Sequence, residues 1–249
     1  MPLRLIVPNL ITVLAICAGL TGIRLAFEHR IEMAIAMVLL AAFLDGVDGR
    51  VARALKATSK FGAQMDSLAD IVNFGVAPAL VLYAFILDRA GSPGWIAALL
   101  FAIACGLRLA RFNVMADDPT RTDWRADYFV GVPAPAGAML VLLPAYLSFV
   151  GVPHSLVFAW LSCAFTLVVA FLLVSRIPVW SGKSAGTRIR SDYVVPLMLG
   201  VVLFVLLLSA YPWHTLTVSA LLYLAFLPAS YRAYSHRLAR EEAETGTPE

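Results

Sequence analysis

Four aspartates, Asp45, Asp48, Asp66 and Asp70, interrupt segments otherwise dominated by Ala, Leu, Ile and Val. The first two are three residues apart and the last two four apart, so on helices each pair shares a face. An ionised carboxylate is costly at membrane depth unless it is paired, hydrated or bound to metal. The connection between the pairs is of modest length and basic, and antiparallel packing of the two helices would bring all four carboxylates to one cavity. Their mutual repulsion in that setting is offset by divalent cations. An all-oxygen ligand set favours Mg²⁺ or Mn²⁺ over Zn²⁺. Four carboxylates suffice for two ions about 3.5–4 Å apart.

The residues around the aspartates fit a phosphate-bearing ligand. Gly46, Gly49 and Ala52 accompany the first pair, and Gly62 stands one turn before Asp66. Small residues let a ligand approach the backbone, and they also let membrane helices pack closely; in register with the aspartates, Gly49 and Gly62 read as ligand-facing. Arg53 follows in the basic turn and is suited to a phosphate. Lys56 and Lys60 add attraction for anionic groups or simply form a solvated loop. Farther along, Arg108 and Arg111 are three apart at the end of an apolar segment, and Asn73 lies three residues beyond Asp70. They are candidates for binding a second substrate or a phosphate, or else two interfacial arginines whose stems lie along lipid. No P-loop or dinucleotide fingerprint is present. The histidines cluster with no other metal-ligand type, and Cys17, Cys105 and Cys163 lie in apolar segments without metal-ligand spacing, as small buried hydrophobes do.

Elements of one kind must position these residues. The 249-residue chain is 61% hydrophobic and 14% charged, with a mean hydropathy of +0.83. A soluble domain carries closer to a quarter charged residues, so lipid is the expected solvent. Eight stretches are long enough to span roughly 30 Å of hydrocarbon, near 5–27, 31–49, 66–87, 94–113, 130–150, 155–175, 193–211 and 213–231. The last two are divided only by Tyr211-Pro212-Trp213. The opening Met1-Pro2-Leu3-Arg4 leads into the first span without a small-residue cleavage pattern. Of the 19 Lys and Arg residues, 16 fall on one side of this arrangement, including Arg50, Arg53, Lys56, Arg121, Arg125, Lys183, Arg188 and Arg190. By the positive-inside rule that side is cytoplasmic and holds both termini. Trp95, Trp124, Trp180 and Trp213 fall near the interfaces. The fold class is an all-α integral membrane helix bundle over 1–240, with 241–249 as a disordered acidic cytoplasmic tail.

The run Asp45-Gly46-Val47-Asp48-Gly49-Arg50-Val51-Ala52-Arg53, eight further residues, then Gly62-Ala63-Gln64-Met65-Asp66-Ser67-Leu68-Ala69-Asp70 resembles the signature of the CDP-alcohol phosphatidyltransferase family at every required position. Ser59 to Ala79, Arg108-Leu109-Ala110-Arg111-Phe112-Asn113, Val130-Gly131-Val132-Pro133 and Ser175-Arg176-Ile177-Pro178 resemble its bacterial serine-using branch, with Val132 where that branch commonly has leucine. The resemblance implies the family's membrane fold and a homodimer in the inner membrane. It implies Asp45, Asp48 and Asp66 as ligands of Mg²⁺ or Mn²⁺, two ions per site. Asp70 would share the second ion and act as general base. Gly49, Ala52 and Arg53 would line the CDP site, with Gly62 beside the nucleotide. The implied substrates are CDP-diacylglycerol and L-serine, with membrane lipids as partners and no nucleic acid. Glycerol 3-phosphate or an inositol phosphate is the alternative acceptor. A transporter or ion channel with acidic ion sites is the alternative of another class.

Overall fold

The computed structural model describes residues 3–57, 59–116, 128–180 and 191–245. Arg121, Arg125, Trp124, Lys183, Arg188 and Arg190, assigned to the interfaces from sequence, lie outside the described residues. The chain opens with α1 (Leu3–Phe27) and α2 (Ile31–Ala54), which pack side by side. Next come α3 (Lys60–Asp70), a π-helical turn (Ile71–Val76) and α4 (Ala77–Phe85), which together form one continuous rod. A short 3₁₀ turn (Leu87–Ala90) leads to α5 (Ser92–Ala116). Then follow β1 (Tyr128–Val130), α6 (Ala134–Val141), α7 (Leu143–Val150), α8 (Leu156–Val174), β2 (Pro178–Trp180), α9 (Ser191–Ala210) and α10 (Pro212–Thr245).

Five of these stretches are long and apolar enough to cross a membrane: Ile6–Phe27, Lys60–Phe85, Ser92–Met115, Leu156–Val174 and Pro212–Leu238. Ala134–Val150 and Val194–Ala210 are shorter and apolar. α2 is as long as the crossing helices but carries Glu32, Asp45, Asp48, Arg50 and Arg53. Each of the eight expected stretches has a helical counterpart, five of them long and apolar enough to cross a membrane, and the protein is a multi-pass, all-α membrane protein. Its outer faces suit lipid: Phe171 on α8 is 70% exposed and Leu199 on α9 is 64% exposed. Lipid is as apolar as such side chains, so close packing rather than escape from water holds the helices together. Ala15, Ala18 and Ala26 of α1 and Ala34 and Ala41 of α2 are buried, letting the two backbones approach.

Several boundaries differ from the hydropathy reading. The aspartates were expected at helix ends, but α2 continues past Asp48 to Ala54 and α3 begins at Lys60, before Asp66. A helix satisfies its own backbone hydrogen bonds whatever its side chains, so charge ends an apolar run without ending the helix. Ser59 starts α3 as N-cap, its Oγ accepting from the Gly62 amide at 3.0 Å. The expected span at 130–150 is broken between α6 and α7. Pro144 in the first turn of α7 has no N–H to donate and its ring clashes with the preceding turn.

Before α6 the chain is extended rather than helical. β1 pairs antiparallel with β2 in the register Tyr128 to Trp180, Phe129 to Val179 and Val130 to Pro178. Ser230 of α10 holds this ribbon, accepting from the Trp180 amide at 2.8 Å and donating to the Pro178 carbonyl at 3.2 Å. Gly131 leaves β1 with φ +81°, a conformation open to glycine. Tyr211 separates α9 from α10, which opens at Pro212, since proline is well suited to a first turn. α10 keeps its helical backbone through Thr245, into the stretch read as the acidic tail, and residues 246–249 lie outside the described residues. Cys105 and Cys163 are buried, as expected, whereas Cys17 faces outward from α1.

Candidate active site

α2 and the rod beginning with α3 each bring one aspartate pair to the same place. One carboxylate oxygen from each of Asp45, Asp48 and Asp66 lies within 4.8 Å of the other two. Asp70 falls outside this triplet; its carboxyl adjoins that of Asp45, with Asp66 and Arg108 nearby. Asp48 is only 2% exposed. Thr12 of α1 orients it, donating from Oγ1 to Asp48 Oδ2 at 2.6 Å, the short distance of a charge-assisted bond. The Oδ1 atoms of both Asp45 and Asp48 are buried without a hydrogen-bond partner.

Among the described residues no cation forms an ion pair with these aspartates. Among the described residues the one ion pair joins Arg24 to Glu28, far along α1 from Asp48 in sequence. Buried polar oxygens normally have partners. Converging carboxylates with orphaned oxygens and no salt bridge fit a divalent cation held by hard oxygen ligands. Asp45, Asp48 and Asp66 supply ligand atoms close enough to share one, and Asp70 stands at the edge of the cluster.

On one side of the aspartates lies a cavity of about 240 Å³. Asp48 and Asp66 form its acidic wall, and Gly49, Ala52, Arg53 and Gly62, the residues the family resemblance implies for a CDP site, also line it. A Cβ placed on Gly49 would meet nothing within 4 Å, so this glycine faces open space. At Gly62 a Cβ would come within 3.1 Å of Asn9 Oδ1 and Ser59 Oγ, so a side chain there would crowd the polar rim. Arg53 is the cavity's cationic residue, with Lys56 exposed in the adjoining connection and Lys60 exposed at the start of α3.

A further wall comes from α1: Pro8, Asn9 and Thr12. The sequence reading missed these residues. Their signal was two polar side chains, Asn9 and Thr12, three apart in a span that could have been apolar throughout.

The three residues considered for a second substrate or phosphate have different surroundings. Arg111 donates to four backbone carbonyls. Its Nη1 reaches Val174 at 2.8 Å, and its Nη2 reaches Val130 at 3.1 Å, Leu173 at 3.2 Å and Ser175 at 3.1 Å. It clamps the end of α8 to the chain leaving β1. Arg108, one turn earlier, is 6% exposed, and its Nε is buried without a partner. Its guanidinium carbon lies 5.1 Å from the centre of the Phe112 ring. Asn73 is fully buried in the π-helical turn, and both polar atoms of its amide lack a partner. Gly19 of α1 makes room for it: a Cβ there would lie 2.5 Å from Asn73 Oδ1. π-helical turns inside α-helices often occur at functional sites. Nearby, Asn113 Nδ2 donates to Ser67 Oγ at 3.0 Å, tying the end of α5 to α3.

Comparisons with known proteins agree with this arrangement. The family model for CDP-alcohol phosphatidyltransferase matches residues 5–172, and one described as CDP-alcohol phosphatidyltransferase 2 matches residues 192–228. A Mycobacterium leprae protein is 43% identical over 241 residues, covering 96% of this chain and 78% of its own. A Mycobacterium tuberculosis protein is 41% identical over 231 residues, covering 92% and 79%. A Bacillus subtilis protein is 37% identical over 139 residues, covering 55% and 74%. Each of the three bears the name CDP-diacylglycerol–serine O-phosphatidyltransferase.

Proposed function

This chain belongs to the CDP-alcohol phosphatidyltransferase family, and from that membership we propose that it transfers the phosphatidyl group of CDP-diacylglycerol to the hydroxyl of L-serine, giving phosphatidylserine and CMP. The observation that carries the reading is the set of four aspartates on α2 and α3, unpaired and partly orphaned, beside a cavity with one arginine. The names of relatives that match almost the whole chain support serine as the acceptor.

In this reading the cytidine diphosphate part of the donor enters the cavity between α1, α2 and α3, while its acyl chains remain in the adjoining leaflet. Gly49, Ala52 and Gly62 leave room for it, and Arg53 meets a phosphate. Asp45, Asp48 and Asp66 would hold a divalent cation, Mg²⁺ or Mn²⁺, and Asp70 would be a ligand for a second. Bound metal of this kind neutralises phosphate oxygens and stabilises a leaving phosphate. Thr12 keeps the Asp48 carboxylate turned toward the cluster.

Asp70 accepts the serine hydroxyl proton. The serine oxygen forms a bond to the lipid-linked phosphorus as the bond from that phosphorus to the CMP oxygen breaks. Positioning and charge neutralisation lower the barrier of this direct displacement. Arg108 and Asn73 offer unpartnered polar atoms for the acceptor end. The site and both termini face the cytoplasm, where the basic connections are placed by the positive-inside rule. The enzyme works in the cytoplasmic membrane as a homodimer, as the family resemblance implies.

The test is product identification. Purified protein in detergent micelles with Mn²⁺ or Mg²⁺ is given CDP-diacylglycerol and, separately, L-serine, glycerol 3-phosphate, inositol phosphate or myo-inositol. Phosphatidylserine formed with serine supports the assignment. Efficient product formation only with another alcohol discards serine, and solute flux without CMP release would favour a transporter.

A further inference from the structure

α5 and α10 each bury a polar group that has no hydrogen-bond partner. Arg108 of α5 lies within electrostatic range of both Asp70 and Tyr223 of α10. The hydroxyl of Tyr223 is buried and without a hydrogen-bond partner, as is Nε of Arg108. A buried tyrosine usually finds a partner for its hydroxyl, and a buried guanidinium is usually paired. Arg111, one turn away, meets four carbonyls, so the unpartnered Nε of Arg108 does not reflect a shortage of acceptors in this part of the fold.

We infer that Tyr223 and Arg108 together bind the carboxylate of an amino-acid acceptor, which makes Tyr223, on the C-terminal helix, a specificity-determining residue. The inference rests on the reading that serine is the acceptor, and it deepens that reading. Charge selects the ligand: one free guanidinium beside one neutral hydroxyl matches a singly charged carboxylate. A phosphate-bearing acceptor brings nearly two charges and would require a second cation, and the neighbouring Arg111 is committed to the backbone. Distance along the substrate also fits. In serine only Cα and Cβ separate the carboxylate from the hydroxyl oxygen, so a carboxylate held at Arg108 keeps the hydroxyl on the side of Asp70, which lies within electrostatic range of Arg108. Tyr223 touches no reacting atom in this arrangement; it helps decide which alcohol is held there.

The experiment measures CMP release by the full-length protein with L-serine and with L-serinamide, which keeps the hydroxyl and ammonium but lacks the carboxylate. Wild-type protein should prefer serine by about a hundredfold or more in kcat/KM, because a site built for a polar group is left unpaired by an analogue lacking it. Tyr223→Phe should raise the serine KM about tenfold, leave the CDP-diacylglycerol KM unchanged, and reduce the serine-to-serinamide preference by a similar factor. A purely structural tyrosine would not move that preference. A folded Tyr223→Phe protein whose serine KM and preference stay within about twofold of wild type overturns the inference alone. Wild-type protein that accepts serinamide as readily as serine overturns it without any variant. Failure of wild-type protein to use serine, with turnover of another alcohol, overturns both the serine reading and this inference, and so separates the two failures.

Discussion

Replacing Thr12 by valine exchanges a hydroxyl for a methyl of similar size and removes the hydrogen bond that orients Asp48. The Thr12 hydroxyl has one proton, and its 2.6 Å approach to Asp48 Oδ2 against 3.1 Å to the Pro8 carbonyl assigns that proton to the carboxylate. Hydrogen bonds to charged groups contribute about 1.5–3 kcal/mol, which at about 1.4 kcal/mol per factor of ten is about tenfold to a hundredfold. Partners of metal-ligating carboxylates act on metal affinity in about the same range. With Asp48 buried, water cannot readily replace the lost donor. The half-saturating Mn²⁺ concentration for CMP release should therefore rise about 10–100-fold in Thr12→Val. Thr12→Ser, which keeps the hydroxyl, should stay within a few-fold of wild type. A Thr12→Val protein with unchanged Mn²⁺ dependence would refute the role given to Asp48 and to the α1 hydroxyl that aims it.

Three other perturbations probe separate parts of the account. Asp70→Asn keeps the shape of the side chain but removes the base, so turnover should be lost while CDP-diacylglycerol still binds; near-normal turnover of the purified variant would remove Asp70 from that role. Arg111→Ala strands four carbonyls, so it should lower the thermal midpoint in detergent while the serine KM stays within about threefold; a selective loss of serine affinity without loss of stability would return Arg111 to the acceptor site. Lys56 is exposed between α2 and α3, and an amine-reactive probe that cannot cross membranes should modify it from the cytoplasmic face of sealed vesicles only. Modification from the opposite face would invert the topology.

The grouping of the aspartates was legible in the sequence because it resides in local spacing. Asp45 with Asp48, and Asp66 with Asp70, lie at helical intervals, and helices do form there, so each pair faces one way. The lengths of those helices were less legible. Hydropathy ends a span where charge begins, whereas the backbone of α2 runs on to Ala54 and Ser59 caps α3 before Asp66. The β1–β2 ribbon was hidden for a different reason: its strands are three residues each, separated along the chain by α6, α7 and α8. Arg108 and Arg111 were equivalent candidates in the sequence. Only tertiary structure distinguishes the one that meets four carbonyls from the one that meets none. Asn9 and Thr12 could have been found as polar residues in an apolar span, but Tyr223 could not, since an isolated tyrosine in a membrane helix has many uses.

The most direct measurement follows CMP and phosphatidylserine together in metal-stripped protein supplied with CDP-diacylglycerol, adding serine alone, Mg²⁺ or Mn²⁺ alone, and then both. The four-aspartate account predicts no product in the first two conditions and equal amounts of CMP and phosphatidylserine in the third. Phosphatidylserine made by verified metal-free protein, or CMP released at the full rate without serine, would contradict it.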